Sequence, residues 1–363
     1  MPGYLYLPVY LFVTLTMAFI MSFRYISSSG FELQIKKNNI NASFFICLIL
    51  VFWLGNRPVN GSLFGDMSTY NAWYNGMVGG KIDFWGEGEW VWSAILIICK
   101  NAGLNNHEFF TVVEAGYVLL ALWAIKRFMP TNPMLGLLFM LTSLMFFSFG
   151  TNGIRNGLAC HVLLLAISFI LADNYLMGIF LCLMAFGIHK SVILPIAAVF
   201  AGIFLIKNFK FVIYFWIISI IISLAFGNSI AVFFASLGFD DRMSSYLTNQ
   251  YADSFSSTGF RWDFLLYSAI PIFLGWYVLI KKGIKDRWYE VLCVTYTLSN
   301  AFWVMVIRAA FSNRFAYLSW FLYPIIIAYP LINLPVWYDQ DKKTGLILLF
   351  YSGFTLFMMT FYW

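Results

Sequence analysis

Long apolar stretches recur along almost the whole chain and are separated by polar connections. Each stretch holds about 15 to 20 largely apolar residues, close to the length that a helix needs to cross a bilayer. Because a helix satisfies its own backbone groups in lipid, the pattern predicts an all-α, polytopic transmembrane bundle of about 12 spans. The stretches cover residues 4–23, 41–55, 109–126, 134–149, 156–172, 174–188, 191–206, 211–226, 264–280, 289–307, 315–333 and 345–362.

One short apolar segment and two long connections depart from this pattern. Trp90–Cys99 is too short to cross a bilayer, so we expect a re-entrant or interfacial helix near 88–100. The connections 56–108 and 227–263 are long, and loops of such length are uncommon unless they are functional. Since no internal repeat or soluble domain is visible, residues 1–363 are predicted to form a single transmembrane domain.

The composition agrees with a membrane protein. The 363 residues are 61% hydrophobic and only 10% charged, far from the profile of a soluble domain. The first apolar stretch lacks the basic n-region and the small-residue cleavage site of a signal peptide, so it is predicted to be a retained span. The five cysteines lie in apolar stretches without CxxC pairing, which predicts small buried residues rather than disulfides or metal ligands.

Lysines and arginines concentrate in alternate connections. By the positive-inside rule these connections are expected in the cytoplasm. Both chain termini and the loops 56–108, 150–155, 227–263 and 308–314 then lie on the opposite face, which in a bacterium is the periplasm. The basic connections contain Arg24, Lys36 and Lys37; Lys126 and Arg127; Lys207 and Lys210; Lys281, Lys282, Lys285 and Arg287; and Lys342 and Lys343.

On the predicted external face arginine outnumbers lysine. A guanidinium binds phosphate oxygens in a bidentate manner and stays charged when partly desolvated, so this set indicates a bound phosphate. The alternative is that single arginines snorkel to lipid headgroups or pair with aspartates. The external basic residues are Arg57, Arg155, Arg242, Arg261, Arg308 and Arg314, with Lys81, Lys100 and Lys190; the candidate aspartate partners are Asp66, Asp240, Asp241 and Asp263.

Aromatic residues lie in or beside the two long external loops, among polar neighbours that could hydrogen-bond hydroxyl groups. Sugars dock on such surfaces, whereas the alternative for each residue is the aromatic belt of a membrane interface. In combination with the arginines, these aromatics indicate a glycan that carries a phosphate. They are Tyr70, Trp73, Tyr74, Trp85, Trp90, Tyr246 and Tyr251.

Five short motifs occur in a recognisable order. They are Arg57-Pro58 with Gly65-Asp66, Tyr70 and Tyr74; Asn152-Gly153-Ile154-Arg155-Asn156-Gly157-Leu158-Ala159; Ala185 with His189-Lys190-Ser191; Phe260-Arg261-Trp262-Asp263; and Asn313-Arg314 with Tyr317. This ordered set, which extends over most of the chain, resembles the EpsG family of Wzy-type polysaccharide polymerases.

The resemblance implies a metal-independent membrane glycosyltransferase with a GT-C-like fold, acting at the periplasmic face of the bacterial inner (cytoplasmic) membrane. A growing O-antigen, capsule or exopolysaccharide chain on undecaprenyl pyrophosphate would pass to the non-reducing end of a lipid-linked repeat unit. The expected partners are this lipid-linked oligosaccharide, membrane lipid and a chain-length regulator, without nucleic acid or cofactor. The chain contains no P-loop or nucleotide fingerprint, which fits an activated lipid donor.

Breaking a sugar–pyrophosphate bond builds negative charge on the leaving group, so cations are expected at the site. Arg155 is the leading candidate, because it opens a span whose N-terminal amides add positive potential. The alternative role for Arg155 is a span-end anchor. The other predicted pyrophosphate ligands are Arg57, Arg261, Arg308 and Arg314, of which Arg261 could instead pair with Asp263.

The attacking hydroxyl must lose a proton, which requires a base within reach. Asp66 in the first long loop and His189 at the end of a span are the candidates, and with Arg155 they form the predicted catalytic set. The predicted sugar-binding residues are Tyr70, Tyr74 and Asn152. Inside the spans, His161 is expected to be a packed histidine, and Glu114 must face protein or water because a carboxylate is costly in lipid.

Three other functions compete with a polymerase. An O-antigen ligase uses the same donor but passes the glycan to lipid A core, so the two differ in their product. A flippase would place charges near the midplane and show inverted repeats, whereas here the charges cluster at one face. A membrane acyltransferase is weaker still, since no paired histidine motif is present.

Overall fold

A computed structural model describes residues 1–27, 40–77, 88–206, 208–236, 259–308 and 313–361. Every regular element in these ranges is a helix, which confirms the predicted all-α class. The chain forms two compact units, one of Met1–His189 with Ile327–Trp363 and the other of Lys190–Ile326. The predictions for Lys81, Trp85, Asp240, Asp241, Arg242, Tyr246 and Tyr251 lie outside the described residues.

The first unit is arranged around helix α9, Ile154–Leu171, which packs against the helices before and after it. Of the residues in α9, 89% are buried, so its apolar side chains form the centre of this unit. The other helices are α1 Tyr6–Ser27, α2 Ile40–Gly55, α3 Gly61–Phe64, α4 Met67–Gly76, α5 Trp90–Asn101, α6 Asn106–Phe128, α7 Pro133–Leu141, α8 Phe146–Thr151, α10 Tyr175–Ile188 and α17 Gln340–Phe361.

In the second unit several helices are irregular. The helix Ile193–Phe200 continues as a π-helix over Ala201–Leu205, and the helix Trp262–Gly275 does so over Trp276–Lys281. The helix Phe209–Ser236 is kinked at Phe226. Such interruptions of the α-helical hydrogen-bond pattern bend a helix. The helices are α11 Ile193–Phe200, α12 Phe209–Ser236, α13 Trp262–Gly275, α14 Arg287–Met305 and α15 Asn313–Trp320; α16 is Tyr323–Asn333, whose residues up to Ile326 belong to this unit and whose later residues belong to the first.

Among the described residues, seven helical segments are long and apolar enough to cross a membrane. Four further apolar helices are shorter, and the predicted number of about 12 spans stays a prediction. The seven segments are Gly3–Ser27, Asn106–Phe128, Ile154–Leu171, Phe209–Gly227, Trp262–Lys281, Arg314–Asn333 and Gln340–Phe361; the shorter ones are Ile40–Gly55, Trp90–Asn101, Tyr175–Ile188 and Lys190–Leu205.

The structure corrects the expectation of one continuous helix over 134–149. The chain instead forms α7 and α8, separated at Thr142 and Ser143. Both hydroxyls bond to backbone carbonyls one turn earlier, at 2.7 Å, which competes with the regular helical pattern. Carbonyls near the break accept hydrogen bonds from hydroxyls of other helices, as suits a lipid environment: Tyr10 donates to Leu141, Thr355 to Thr142 and Tyr117 to Phe146.

The described part of the predicted external loop 56–108 is largely helical, since it forms α3, α4 and α5. The helix expected near 88–100 is present as α5, and it packs against α10. Its position in a membrane stays a prediction. The five cysteines are all buried and free, as the sequence indicated.

A buried ion pair joins α6 to the segment after α2. The guanidinium of Arg57 lies 2.9 Å from the carboxylate of Glu114, and the two side chains are 0% and 1% exposed. Arg57 also donates to the carbonyls of Leu54, at 2.6 Å, and Thr151, at 3.3 Å. Burial lowers the pKa of Arg57, and the charge of Glu114 opposes that shift. As predicted, Glu114 therefore faces protein rather than lipid.

We predict that Arg57→Ala destabilises the protein by about 3–5 kcal/mol, because it leaves the Glu114 carboxylate buried without its counter-charge. Thermal unfolding of the detergent-purified protein measures the loss. Arg24→Ala is the matched control, because Arg24 is an exposed arginine near the end of α1. Equal melting temperatures for Arg57→Ala and Arg24→Ala would contradict a structural role for this pair.

Candidate functional site

A carboxylate at the start of α5 joins the ends of two other helices. One oxygen of Glu89 forms an ion pair with Arg155 at the beginning of α9. The other oxygen lies 2.7 Å from Nδ1 of His189, which directly follows α10. The side chains of Glu89, Arg155 and His189 are 21%, 10% and 14% exposed, so a ligand could still reach them. We call these three residues the Glu89 cluster.

The start of α9 combines the charge of Arg155 with the positive end of the helix dipole. Arg155 is the second residue of the helix, where unpaired backbone N–H groups and the helix dipole already favour an anion. The Nε atom of Arg155 is buried and has no hydrogen-bond partner among the described residues. Glu89 therefore balances only part of the positive potential, which suits an anionic ligand better than a neutral one.

The contact with Glu89 determines what His189 can do. Of the two neutral tautomers of the imidazole, only the one with its proton on Nδ1 can donate to this carboxylate, and that tautomer carries its lone pair on Nε2. That nitrogen can then accept a proton from a hydroxyl group. The prediction that His189 ends an apolar helix is confirmed, because its backbone N–H caps α10 by donating to Ala185 at 3.0 Å.

Gly187 allows α10 to approach α5 closely enough for the cluster to form. A Cβ atom at Gly187 would lie 2.5 Å from a methyl of Val91 and 2.7 Å from the ring of Trp90. These distances are too short for a side chain, so only glycine fits here. Because Trp90 follows Glu89 directly, this close packing places Glu89 beside His189.

Asn152 connects the start of α9 to α4. Its side-chain oxygen accepts a hydrogen bond from the backbone N–H of Asp66 at 2.8 Å, and Asp66 is the residue before α4. Gly65 permits this contact, because it has a φ of +54° and a Cβ there would lie 2.3 Å from Asn152. Asn152 thus orders the backbone of Asp66, and both lie in the same unit as the Glu89 cluster.

The aromatic residues of α4 differ in their exposure. Tyr74 is 1% exposed: its ring stacks on Phe109 and its hydroxyl donates to Leu104, at 2.6 Å. Burial raises the pKa of this hydroxyl. Tyr70 is also buried and packs edge-on against Trp73 and Trp92. These placements favour packing roles for the two tyrosines, so their predicted contact with sugar has no support from the geometry.

Trp73 is the aromatic residue of α4 that lies beside the Glu89 cluster. Its ring centroid is 5.8 Å from the guanidinium carbon of Arg155, and the residue is only partly buried. An indole ring next to a cation can stack against the face of a sugar. It also offsets part of the free-energy cost of desolvating the cation. Sequence reasoning placed Trp73 among the external aromatics but not among the sugar-binding residues.

The predicted pyrophosphate arginines are divided between the two units. Arg57 and Arg155 lie in the first, and the buried Arg57 supports the site from within the bundle through Thr151, the residue before Asn152. In the second, Arg261 pairs with Asp263 at 2.7 Å, as the sequence suggested. The guanidinium of Arg308 lies 5.9 Å from the ring centroid of Phe260, and its side chain packs against Gly227. Arg314 begins the segment Arg314–Asn333.

Two further sequence predictions concern a histidine inside a span and a reaction without a metal ion. His161 is buried, with Nδ1 at 2.8 Å from the carbonyl of Gly157 and aromatic rings around it, which confirms a packed histidine. Within the described ranges, no three His, Cys, Asp or Glu side chains come together as a metal ion would need. Metal independence itself stays a prediction.

A scan against protein-family models matches residues 40–363 to the EpsG family. The chain belongs to the EpsG family. Searches of the curated proteins and of the solved structures found no match. The matched range contains the whole Glu89 cluster, together with Asp66, Asn152 and the buried Arg57–Glu114 pair.

Membership of the EpsG family confirms the resemblance indicated by the five motifs. The EpsG family is associated with Wzy-type polymerases, which indicates a membrane polysaccharide polymerase-like role and a glycosyltransferase-like enzyme. The apolar helices agree with a membrane location. The Glu89 cluster provides the groups that such chemistry uses: a cation, an imidazole and an orienting carboxylate.

We predict that Gly187→Val lowers chain growth by at least about tenfold, because the added side chain separates α5 from α10 and draws Glu89 away from His189. Glycan length on gels, with protein level measured in parallel, reports the effect. Gly353→Val is the matched control, since a Cβ at Gly353 has nothing within 4 Å. Wild-type chain lengths in Gly187→Val cells would show that the cluster does not depend on this packing.

Proposed function

We propose that this EpsG-family protein polymerises a bacterial surface polysaccharide at the periplasmic face of the inner membrane. A growing glycan would be transferred from undecaprenyl pyrophosphate to the non-reducing end of a lipid-linked repeat unit. The single observation that supports this most is the Glu89 cluster, in which one carboxylate joins Arg155 to His189. Its cation and its imidazole serve the two ends of a glycosyl transfer.

In this proposal Arg155 stabilises the leaving group. As the bond between the anomeric carbon and the pyrophosphate breaks, its electron pair and the negative charge move onto a phosphate oxygen. Arg155 and the backbone N–H groups at the start of α9 stabilise that charge. Arg261, Arg308 and Arg314, in the second unit, remain proposed pyrophosphate ligands, whereas the fully buried Arg57 is proposed to support the site structurally.

His189 acts as the base for the acceptor hydroxyl. Its Nε2 accepts the hydroxyl proton while the oxygen forms the new bond to the anomeric carbon. Glu89 holds the imidazole in the required tautomer and stabilises the imidazolium that results, which makes Glu89 a positioning residue. Asp66 remains the alternative base, and Trp73 with Asn152 is proposed to contact the sugar.

We predict that Arg155→Ala abolishes chain growth and leaves the protein level unchanged, because the leaving group loses its counter-charge. Lipid-linked products resolved by gel provide the measurement. Arg155→Lys is expected to recover only part of the activity, since lysine lacks the bidentate fork. Arg24→Ala, at an exposed arginine, should behave as wild type. Long chains made by Arg155→Ala would remove Arg155 from the mechanism.

The same mutant separates a polymerase from a ligase. Loss of a polymerase leaves core glycolipid carrying a single repeat unit, whereas loss of a ligase accumulates long polymer on the lipid carrier. We expect the single-unit product from Arg155→Ala and also from His189→Ala. Accumulated lipid-linked polymer in either strain would favour the ligase.

We predict that a chelator leaves activity unchanged in a purified assay with lipid-linked repeat units. The positive charge that offsets the leaving group is supplied in this proposal by arginine and by helix amides, so no divalent ion is needed. The rate of chain growth with and without chelator is the measurement. Activity that disappears with chelator and returns with a divalent metal would refute metal independence.

A further inference from the structure

An apolar cavity lies directly beside the Glu89 cluster. Its volume is about 340 Å³, within the range of small-molecule sites, and it lies between α5, α6, α9 and α10. Its lining residues are all apolar, and they include Val91, Val112, Gly116, Leu158, Phe180 and Ile188. We call it the α6–α10 groove.

The α6–α10 groove begins at the three residues of the cluster. Val91 is two positions after Glu89 on the same helix, Leu158 is one turn after Arg155, and Ile188 immediately precedes His189. Charged groups therefore mark one end of the groove, and hydrocarbon side chains line the rest. This polarity matches an amphiphile with an anionic head and an apolar tail.

The groove is open to the outside of the bundle. Two of its lining residues, Val112 on α6 and Phe180 on α10, are 45% and 53% exposed. Along α6 the lining extends from Val112 to Leu120, which corresponds to a depth of about 12 Å at the helical rise per residue. That depth is less than half of the roughly 30 Å hydrocarbon core, so the groove would hold only part of a long tail.

Gly116 keeps the groove open in the middle of α6. A Cβ at this position would meet only the end of the Leu158 side chain, at 3.0 Å. A larger side chain would thus project into the groove and could be accommodated by movement of a flexible neighbour. This makes Gly116 the position at which the groove can be filled with the least disturbance to the fold.

We propose that the α6–α10 groove holds the head-proximal part of the polyisoprenoid tail of the lipid-linked glycan donor, an inference that rests on the proposed function. With the tail in the groove, the pyrophosphate lies at the start of α9 next to Arg155. The sugar carried by that pyrophosphate then lies beside His189 and Trp73. The groove thereby fixes the depth of the scissile bond relative to the cluster.

The test uses two measurements on the full-length protein in lipid nanodiscs. The first is photo-crosslinking with polyisoprenyl pyrophosphates that carry a diazirine either near the head or at the far end of the tail. We expect the head-proximal probe to label peptides covering 112–120 and 180–188, and the distal probe to leave them unlabelled. Equal labelling by both probes would overturn the proposal. Equal labelling by a phosphatidylglycerol probe that unlabelled polyisoprenyl pyrophosphate does not displace would assign the groove to bulk lipid.

The second measurement compares donors with a long polyisoprenoid tail and with a single isoprene unit. In the wild type, we expect KM to be lower for the long-tailed donor than for the single-isoprene donor. Gly116→Leu should make the ratio of these two KM values smaller by at least about tenfold, since excluding two buried methylenes from the groove has an effect of that size. Gly353→Leu, in α17, is the control and should keep the wild-type ratio. An unchanged ratio in Gly116→Leu refutes the groove assignment. If wild-type protein polymerises neither donor, the proposed function fails, while the crosslinking still decides the occupant of the groove.

Discussion

The ion pair between Glu89 and Arg155 is the interaction on which the candidate site depends. An arginine at the start of a helix adds positive charge where the helix dipole is already positive, so it requires a nearby anion. Glu89 supplies that anion from the start of α5 and uses its second oxygen to bind His189. The beginnings of α5 and α9 and the end of α10 are thereby held together, and these helices also form three walls of the α6–α10 groove.

A second pair of charges supports the first from inside the bundle. Arg57 and Glu114 are both buried, and a buried pair is tolerated only when most of its hydrogen-bonding groups are satisfied. Arg57 meets this condition in part, through the carbonyls of Leu54 and Thr151, whereas its Nε and Oε2 of Glu114 have no hydrogen-bond partner among the described residues. Thr151 precedes Asn152, whose side chain binds the backbone of Asp66 close to the start of α9. A core interaction therefore determines the position of residues at the surface of the site.

Much of this arrangement could be predicted from the sequence because it depends on local position. Arg155 and His189 lie at the ends of apolar stretches, and a residue at such an end has its place in the fold determined by its own helix. The pairing of Arg261 with Asp263 needed only two residues of separation. Glu114 within a span implied a carboxylate that faces protein or water, although its partner Arg57, 57 positions away, could not be inferred from the sequence.

Glu89 was missed because its partners are distant in the chain, at 66 and 100 positions. The available signal was its position immediately before the apolar segment Trp90–Cys99. Glu89 lies at the start of a helix there, as Arg155 lies at the start of α9. The break between α7 and α8 was missed for a similar reason. The hydroxyls of Tyr10, Tyr117 and Thr355 that bind carbonyls near the break belong to other helices, and apolar length alone does not reveal them.

The Glu89–Arg155 pair also has a consequence for how an anionic substrate would be accepted. A guanidinium without a counter-ion in this largely buried place would be costly, and Glu89 removes much of that cost in the ligand-free state. A pyrophosphate brings more charge than one carboxylate, so it can compete for Arg155 without leaving the guanidinium unpaired at any stage. Glu89 would then keep its contact with His189 and continue to hold Nδ1–H while a donor is bound. In the proposed function, donor binding and activation of the acceptor are coupled through this one carboxylate.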